Sequence, residues 1–195
     1  MGKKFLKINS NINITPLLLE ILRQPNLWNR NDIRLSKLGP HHETFDMFLR
    51  YKDETENIEK QDWSNFGDEH DGKWYKTYDL LPSAKKLIFD LMYQVNGERL
   101  GGIFIYKVPP GKKIHPHTDK GWHVDYYDKF NICLQTNENA VFAYEDEVMI
   151  AKQGDIHWFT NNTNHWVVNI DGNTDHIIMT VCIRLDRGER IKWSS

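Results

Sequence analysis

The sequence predicts a mainly β fold of the jelly-roll kind, flanked by helices on its N-terminal side. Short runs of β-branched and aromatic residues fill the second half of the chain, turn-forming residues separate them, and helical periodicity is confined to the first half. The 195 residues, 39% hydrophobic and 27% charged, suit one globular domain. We therefore expect a single domain over 1–195, with a helix-bearing part at 1–99 and a β core at about 100–186.

Two helices are predicted in the first half. Residues 13–24 have the composition of a short helix, in which Thr15 caps the start. In residues 82–95 apolar side chains recur at three- and four-residue spacing, and the pair Asn96-Gly97 ends the helix. We expect this helix-bearing part to pack on the outside of one sheet.

The remaining elements are strands and loops. Residues 44–51 have strand or mixed character, and the polar, acidic segment 52–73 is expected to form a long surface loop, of the kind that often serves as a lid or substrate edge. Strands are predicted in the second half at 102–108, 129–136, 140–144, 147–151, 156–160, 165–170 and 176–185. Their regular spacing is typical of a barrel or sandwich.

Charge, hydropathy and cysteine content argue against several classes of protein. The formal net charge of -2 supplies no basic field for a phosphate backbone, so nucleic acid is not an expected partner. No apolar run approaches the roughly 20 residues that span a bilayer, and residues 1–10 lack the apolar core of a signal peptide. Cys133 and Cys182 lie in strand-like runs and are expected to fill core space as thiols. A reducing cytoplasm is the expected location.

A dense group of potential metal ligands follows the first strand of the predicted β core. Residues 111–125 contain three histidines and two aspartates. His117 and Asp119 lie two apart, and on an extended segment such residues project to the same face. An imidazole and a carboxylate can then reach one metal ion together. His165 opens a later strand directly after a turn, which makes it the best candidate for a third ligand.

This combination of donors indicates the metal. Two imidazoles and one carboxylate on one face leave three coordination positions open, as in non-haem Fe(II) oxygenases, where O2 and a co-substrate need those positions. A structural zinc site would instead close all four of its positions. The sequence therefore predicts a ferrous iron site formed by His117, Asp119 and His165.

Other histidines offer alternatives for the metal site. His123 and Asp125 repeat the His-x-Asp pattern, His115 lies next to the predicted pair, and His157 precedes the third ligand on a neighbouring strand. We expect His115 and His123 to lie at the surface or around the ligands rather than on the metal. His157 is expected to be a packed or edge residue.

The order of these motifs resembles the 2-oxoglutarate- and Fe(II)-dependent oxygenases, specifically the aspartyl/asparaginyl β-hydroxylase-like group. The resemblance covers roughly residues 100–186, in the segments IHPHTD (114–119), KFNICLQTN (129–137), EVMIAKQGDIHWFTNNTNHWVVN (147–169) and HIIMTVCIRLD (176–186). It implies a double-stranded β-helix, the cupin-like form of the jelly roll. It also implies that His117, Asp119 and His165 hold the iron, where 2-oxoglutarate binds through its 1-carboxylate and keto oxygen.

The pocket for the far carboxylate of 2-oxoglutarate departs from the family pattern. Where the family usually has arginine at the head of the last strand, this chain has His176, and where a strand often begins Arg-x-His it has Lys129 and Asn131. Arginine is always charged and forks two donors onto a carboxylate, whereas histidine is only partly charged near neutral pH. By strand alternation, Lys129 and His176 are expected to hold the far carboxylate jointly, with Tyr106 adding a hydroxyl donor. Arg184 shares the face of His176 but is expected at the surface.

The resemblance implies oxidative decarboxylation of 2-oxoglutarate coupled to hydroxylation of a C–H bond, with O2 as oxidant and succinate and CO2 as products. The substrate is expected to be an Asp or Asn side chain of a peptide, or a small amino acid. Trp122, Trp158 and Trp166 are candidates for the substrate cleft, although core packing is the preferred interpretation for each. Two other classes stay open from the residues: a cupin-like metal-binding module without oxygenase activity, and a metal-dependent isomerase or hydrolase.

Overall fold

A computed structural model describes residues 3–30, 39–53, 59–61, 72–170 and 173–186. Its helices are α1 (Thr15–Leu22), α2 (Lys76–Leu80), α3 (Pro82–Gln94) and α4 (Trp122–Tyr126), and a 3₁₀ turn covers Pro25–Leu27. Its strands are β1 (Phe5–Asn9), β2 (Phe45–Lys52), β3 (Gly72–Trp74), β4 (Gly97–Val108), β5 (Lys112–His117), β6 (Asp128–Gln135), β7 (Ala140–Tyr144), β8 (Val148–Met149), β9 (Ile156–Phe159), β10 (His165–Asn169) and β11 (His176–Leu185). None of the described helices is long and apolar enough to cross a membrane.

The predicted strands of the second half are present, with small differences in their bounds. β7 and β11 begin and end where the sequence predicts, whereas β4 begins earlier and the strand predicted at 147–151 shortens to β8. β1, β3 and β5 are strands that the sequence does not predict, and β3 begins inside the segment predicted to be a loop. The loop predicted at 52–73 lies largely outside the described residues, so its role as a lid stays a prediction.

Both predicted helices form, but the predicted cap of the first is wrong. Ile14 holds the cap position of α1, and no side chain bonds to that end of the helix as a cap. The backbone N–H of Thr15 instead donates to Asn13 Oδ1 at 3.3 Å. Thr15 is the first residue inside the helix, where its own hydroxyl cannot reach the free N–H groups one turn later.

The strands form two facing sheets. The larger has the order β1-β9-β6-β11-β4-β2-β3 and the smaller β5-β10-β7-β8. The strands from β4 to β11 divide equally between the two sheets, which is the architecture of the double-stranded β-helix. The predicted fold class is therefore confirmed, and the first three strands extend the larger sheet at its edges.

Two hydrophobic clusters hold these layers together. One lies between the larger sheet and the helices and includes Leu17 of α1, Ile88 of α3 and Met179 of β11. The other lies between the sheets and is rich in aromatic side chains, among them Phe142 and Tyr144. The helices thus pack on the outside of one sheet, as predicted, and the space between the sheets is left for a site.

Both cysteines are buried free thiols, as the sequence predicts. Cys133 packs between the sheets, and burial raises its pKa to about 12, with the charge of Asp155 adding to the effect. A thiol with so high a pKa stays protonated at neutral pH and is a poor nucleophile or metal ligand.

The register of β10 brings two histidines side by side. β10 pairs antiparallel with β5 and β7, so that His165 lies opposite His117 on one side and Tyr144 on the other. Directly opposed side chains of an antiparallel pair lie about 5 Å apart. The strand pairing therefore positions the two imidazoles predicted to bind metal.

The turn before β9 depends on a glycine at position 154. Gly154 has a φ of 82°, its carbonyl accepts from Ile12 N at 3.0 Å, and a Cβ added there would lie 2.7 Å from the Ile12 carbonyl oxygen. Gly154→Ala therefore adds a backbone clash to the strain of a left-handed residue. We expect the variant to lower the free energy of unfolding in urea by about 2 kcal/mol.

A matched control separates the two contributions. Gly111 has a φ of 73°, and a Cβ added there would meet nothing within 4 Å. Gly111→Ala therefore carries the left-handed strain alone and should cost only about 1 kcal/mol. Equal losses in the two variants would show that the contact with Ile12 relaxes without cost.

Candidate metal centre and adjoining cavity

Three predicted ligands converge where β5 ends and β10 begins. His117, Asp119 and His165, hereafter the triad, each place one donor atom within 4.8 Å of the others. His117 Nε2 is 3.6 Å from Asp119 Oδ1, and the two imidazole centroids are 4.4 Å apart. Donors at about 2.1 Å from a common ion lie roughly 3 Å from one another, so small side-chain adjustments close this set around a metal.

Each imidazole of the triad is oriented by a backbone carbonyl. His117 Nδ1 donates to the carbonyl of His115 at 2.8 Å, and His165 Nδ1 donates to the carbonyl of Thr163 at 2.8 Å. A carbonyl can only accept, so each ring carries its proton on Nδ1 and presents the lone pair of Nε2. This is how metal-binding histidines are usually oriented. Phe142 stacks on the His165 ring with the two ring centroids 5.6 Å apart, which fixes the plane of the imidazole.

The protonation states of the triad suit a bound metal ion. Burial acts to raise the pKa of Asp119, but the ammonium of Lys129, helped by the two histidines, more than offsets this and holds the pKa well below its usual range. Lys129 Nζ donates to Asp119 Oδ2. Burial lowers the pKa of His165 to about 4, although its bond to Thr163 acts the other way. The triad therefore presents an ionised carboxylate and a neutral His165, the states that bind a metal.

This donor set fits a ferrous ion. Among the described residues, no other His, Cys, Asp or Glu joins the triad, so the three donors leave coordination positions for ligands from the cavity. Imidazole with carboxylate in this ratio is the donor chemistry of non-haem Fe(II) sites. A closed structural zinc site would need a fourth protein ligand.

The competing His-x-Asp pair does not form a metal site. His123 and Asp125 lie in α4, where residues two apart point in directions about 200° apart, so they cannot reach one ion together. His123 instead lines the cavity beside the triad, and burial lowers its pKa.

The other histidines and Arg184 lie off the triad. His115 is part-buried and its Nε2 is 3.1 Å from Glu43 Oε2. His157 is buried in β9. Arg184 Nε lies 3.2 Å from Glu98 Oε2, in a pair that is partly exposed, which agrees with the surface position predicted for this arginine.

A cavity of about 180 Å³ adjoins the triad. Sequence reasoning missed the contribution of β2 and the turn before it, from which His41, Arg50 and Lys52 line the cavity. The His41 ring lies 5.1 Å from that of His117, and Arg50 Nη1 donates to the carbonyl of Gly101 at 2.9 Å. The available signal was the pair of adjacent glycines in β4, because glycine inside a strand marks the close approach of another group.

The residues predicted to bind the co-substrate occupy two separate positions. Lys129 lies beside the triad and opposite Cys182, which is six residues along β11 from His176, or about 20 Å. The prediction that Lys129 and His176 jointly hold one carboxylate is therefore wrong. Between these positions, Tyr106 and Asn131 line both the cavity and a small pocket that His176 also lines.

Asn131 is held in a fixed orientation at the boundary between the cavity and the small pocket. Thr180 Oγ1 donates to Asn131 Oδ1 at 2.7 Å, and both side chains are buried. Because this bond uses the amide oxygen as the acceptor, the Nδ2 group is the part of Asn131 that can donate to an anion. Sequence reasoning did not single out Thr180.

Of the tryptophans predicted for the cleft, Trp122 lines the cavity and Trp158 does not. Alternation along β9 turns His157 and Phe159 towards the space between the sheets, so Trp158 points to the opposite side and packs in the cluster beneath the helices. Trp166 is only partly buried on β10 and is absent from the described lining of the cavity. Trp158 therefore packs in the core, the interpretation preferred from the sequence, and its candidacy for the cleft is wrong.

The buried ring of His176 makes the fold sensitive to acid. Burial lowers its pKa to about 4, although a hydrogen bond to the backbone of Gln135 acts to raise the pKa. A histidine in the unfolded chain titrates near about 6.5. Above that pH the ring is neutral in both states. Below it the unfolded chain takes up a proton that the folded chain does not. Stability therefore falls by about 1.4 kcal/mol per pH unit until the pH approaches the pKa that His176 has in the folded protein.

We expect His176→Gln to remove this part of the acid sensitivity. The free energy of unfolding in urea, measured at pH 7 and at pH 5, should fall by about 2 kcal/mol more in the natural protein than in the variant. The comparison cancels the other histidines, which titrate in both proteins. The same drop in both would contradict the assignment to His176.

Solved structures share this fold at low sequence identity. A 2OG-Fe(II) oxygenase family oxidoreductase from Burkholderia pseudomallei matches with a TM-score of 0.56 and 12% identity, covering 93% of this chain and 84% of that one. A prolyl hydroxylase from Trichoplax adhaerens, in complex with a hypoxia inducible factor peptide, matches with a TM-score of 0.58 and 14% identity, covering 98% of this chain and 88% of that one. A viral collagen prolyl hydroxylase from Paramecium Bursaria Chlorella virus-1 matches with a TM-score of 0.51 and 13% identity, covering 95% of this chain and 98% of that one. No curated protein sequence matches significantly.

A double-stranded β-helix with two histidines and one carboxylate at an internal cavity is typical of the non-haem Fe(II) oxygenases. The 2-oxoglutarate/Fe(II)-dependent dioxygenases are a class of such enzymes. The sequence profile of the aspartyl/asparaginyl β-hydroxylases matches residues 41–184. The chain belongs to the aspartyl/asparaginyl β-hydroxylase family and is a hydroxylase of that class. The family and the kind of enzyme predicted from the sequence are thereby confirmed.

Proposed function

We propose that the chain hydroxylates an aspartyl side chain of a peptide, with Fe(II) on the triad and 2-oxoglutarate in the adjoining cavity. One observation carries the proposal: the charge of the cavity. Among the described residues that line it, Asp119 is the only acid, whereas Arg50, Lys52 and Lys129 are cations. Two anionic ligands, a co-substrate and a substrate, are the natural occupants of such a cavity.

Residues on the larger sheet are suited to hold 2-oxoglutarate along its length. Lys129 lies next to the triad, so its ammonium faces the end of the dianion that meets the metal. Asn131 Nδ2 and the hydroxyl of Tyr106 follow on the same side and can donate to the far carboxylate. His176 lies beyond them, and as a neutral ring it supplies a hydrogen bond without a charge.

The protein orients the reactants and excludes water. Bound iron supplies the oxidising chemistry that couples decarboxylation of 2-oxoglutarate to hydroxylation of a C–H bond. The carbonyls behind His117 and His165 hold the ligand geometry fixed. Phe104, Phe142 and Phe159 form apolar walls of the cavity, which keep solvent from the reacting groups.

The β2 side of the cavity is suited to a carboxylate on the substrate. Arg50 is fixed at the wall by its bond to Gly101 and lies 5.8 Å over the ring of Trp74. Lys52 lines the cavity from the same strand. A guanidinium binds a carboxylate with two parallel hydrogen bonds, so an aspartyl side chain fits this side better than a neutral or basic one. The family description, which refers to aspartyl and asparaginyl residues, and the peptide bound to the Trichoplax adhaerens relative support a peptide substrate.

Two measurements test this proposal. In an anaerobic titration, adding 2-oxoglutarate to the protein loaded with Fe(II) should produce the visible charge-transfer band of a chelated co-substrate. In air, succinate should form faster with an aspartyl peptide than with the same peptide carrying asparagine or lysine at that position. The absence of both the band and succinate would refute the oxygenase assignment. Equal rates with the aspartyl and asparaginyl peptides would refute the role of substrate charge but leave the oxygenase assignment standing.

A further inference from the structure

A second group of metal-binding side chains lies outside the triad. His42, Glu43 and His115 each place one donor atom within 4.8 Å of the others. His115 Nε2 is 3.1 Å from Glu43 Oε2, and the rings of His42 and His115 stack with their centroids 4.5 Å apart. The group thus has the same donor types, in the same number, as the triad.

His42 and the backbone that carries this group are already arranged for binding. His42 Nδ1 donates to the carbonyl of Gly39 at 2.8 Å, so its proton lies on Nδ1 and its Nε2 lone pair is presented, as in both histidines of the triad. The two chain segments that carry the group are joined by a backbone bond from His115 N to the carbonyl of Pro40 at 2.9 Å. A surface ion pair needs neither feature, whereas a metal site benefits from both.

We propose that His42, Glu43 and His115 form a second metal site, for a transition-metal ion of the zinc class with water in its remaining position. Two imidazoles and a carboxylate suit Zn(II), Co(II) or Ni(II), whereas Ca(II) and Mg(II) take sets made of oxygen. In the metal-free protein His115 Nε2 donates to Glu43, so the ion takes the place of this proton, which is released when the metal binds.

Lys112 is the competitor for this site. Its Nζ lies 3.3 Å from Glu43 Oε1, and half of its side chain, 50%, is exposed. An exposed lysine gains little from one ion pair, so an ion bound by three ligands displaces it. Removing the lysine should therefore tighten binding of the metal.

The position of the second site connects it to the triad. The carbonyl of His115 accepts the bond that orients His117, and His41, next to His42, lies with its ring 5.1 Å from that of His117. An ion on the second site thus holds together the two segments that form this edge of the cavity.

Anaerobic titration with Co(II), followed by its visible spectrum, tests the proposal. The natural protein should bind two equivalents, and Asp119→Ala should retain the equivalent of the second site. His42→Ala combined with His115→Gln should lose that equivalent and retain the one on the triad. Lys112→Gln should keep both and bind the second site several-fold more tightly. In the Asp119→Ala background, Co(II) should raise the melting temperature only when His42 and His115 are present.

The outcomes separate this site from the triad. One equivalent in the natural protein, absent from Asp119→Ala, would overturn the second site and leave the triad standing. Retention of both equivalents in the His42→Ala/His115→Gln variant would also overturn it, provided that the metal-free variant melts as the natural protein does. If instead the triad binds no metal, the single equivalent should depend on His42 and not on Asp119.

Discussion

Replacing Asp119 with alanine is expected to abolish Fe(II) binding and hydroxylation. Asp119 is the carboxylate of the triad and, among the described residues, the only anionic donor of this metal site. Loss of a group that merely orients a metal ligand costs about 10- to 100-fold in affinity, so loss of the anionic ligand itself should cost at least about 100-fold. Anaerobic competition with an Fe(II) chelator measures the affinity, and succinate formation in air measures the reaction.

The fold and the motif both need controls in this experiment. Asp119→Ala removes the carboxylate that pairs with the ammonium of Lys129, so Asp119→Asn, which keeps an oxygen for Lys129, separates loss of the ligand from loss of stability. Asp125→Ala is the matched control, because Asp125 ends the other His-x-Asp motif but lies in α4. Iron retained in Asp119→Ala and lost in Asp125→Ala would transfer the ligand role to the second motif.

Elements with a local signal could be predicted from the sequence. β11 is buried along almost its whole length and therefore appears as a mostly apolar run, typical of a central strand. β5 has the opposite composition, with two lysines and Pro116, and only Ile114 is fully buried. It becomes a strand because β10 pairs with it, and β1 likewise because it pairs with β9. Such pairing between distant segments leaves little trace in composition.

The candidate site divides in the same way. The triad could be predicted because two ligands lie two apart on one segment and the third begins a strand. Arg50 and Lys52 could not, since they reach the cavity only through the pairing of β2 with β4, which joins distant parts of the chain. Their charge also appears ordinary in a chain with 25 Lys and Arg residues.

The error about Lys129 and His176 has a geometric cause. Alternation correctly assigned both side chains to the space between the sheets, where Lys129 lines the cavity and His176 the small pocket. Alternation fixes the face of a strand but not the position along it, and register then separates the two by about six residues at ~3.3 Å each. Of the two basic residues that depart from the family pattern, only Lys129 therefore lies near the metal site.

Replacing Lys129 with methionine is expected to weaken 2-oxoglutarate binding by about 30- to 150-fold, the effect of removing one charged hydrogen bond worth about 2 to 3 kcal/mol. Methionine keeps the length and the apolar stem of the side chain and removes only the ammonium. Fe(II) affinity should change much less, because bound iron takes over the role of countercharge to Asp119. Titration of the band of the chelated co-substrate measures the dissociation constant.

Two controls decide what such a loss means. Lys129→Arg keeps a cation beside the triad and should retain most of the affinity for 2-oxoglutarate, since arginine also pairs with carboxylates. Lys113→Met removes one positive charge from an exposed position of β5 and should leave the affinity unchanged, because exposed charges are screened by salt. If Lys129→Met binds 2-oxoglutarate as the natural protein does, Lys129 serves only as the partner of Asp119. Binding of 2-oxoglutarate would then depend on the neutral donors deeper in the cavity, Asn131 and Tyr106. The ammonium of Lys129 would balance the charge of Asp119 before the metal binds and would have no part in the reaction.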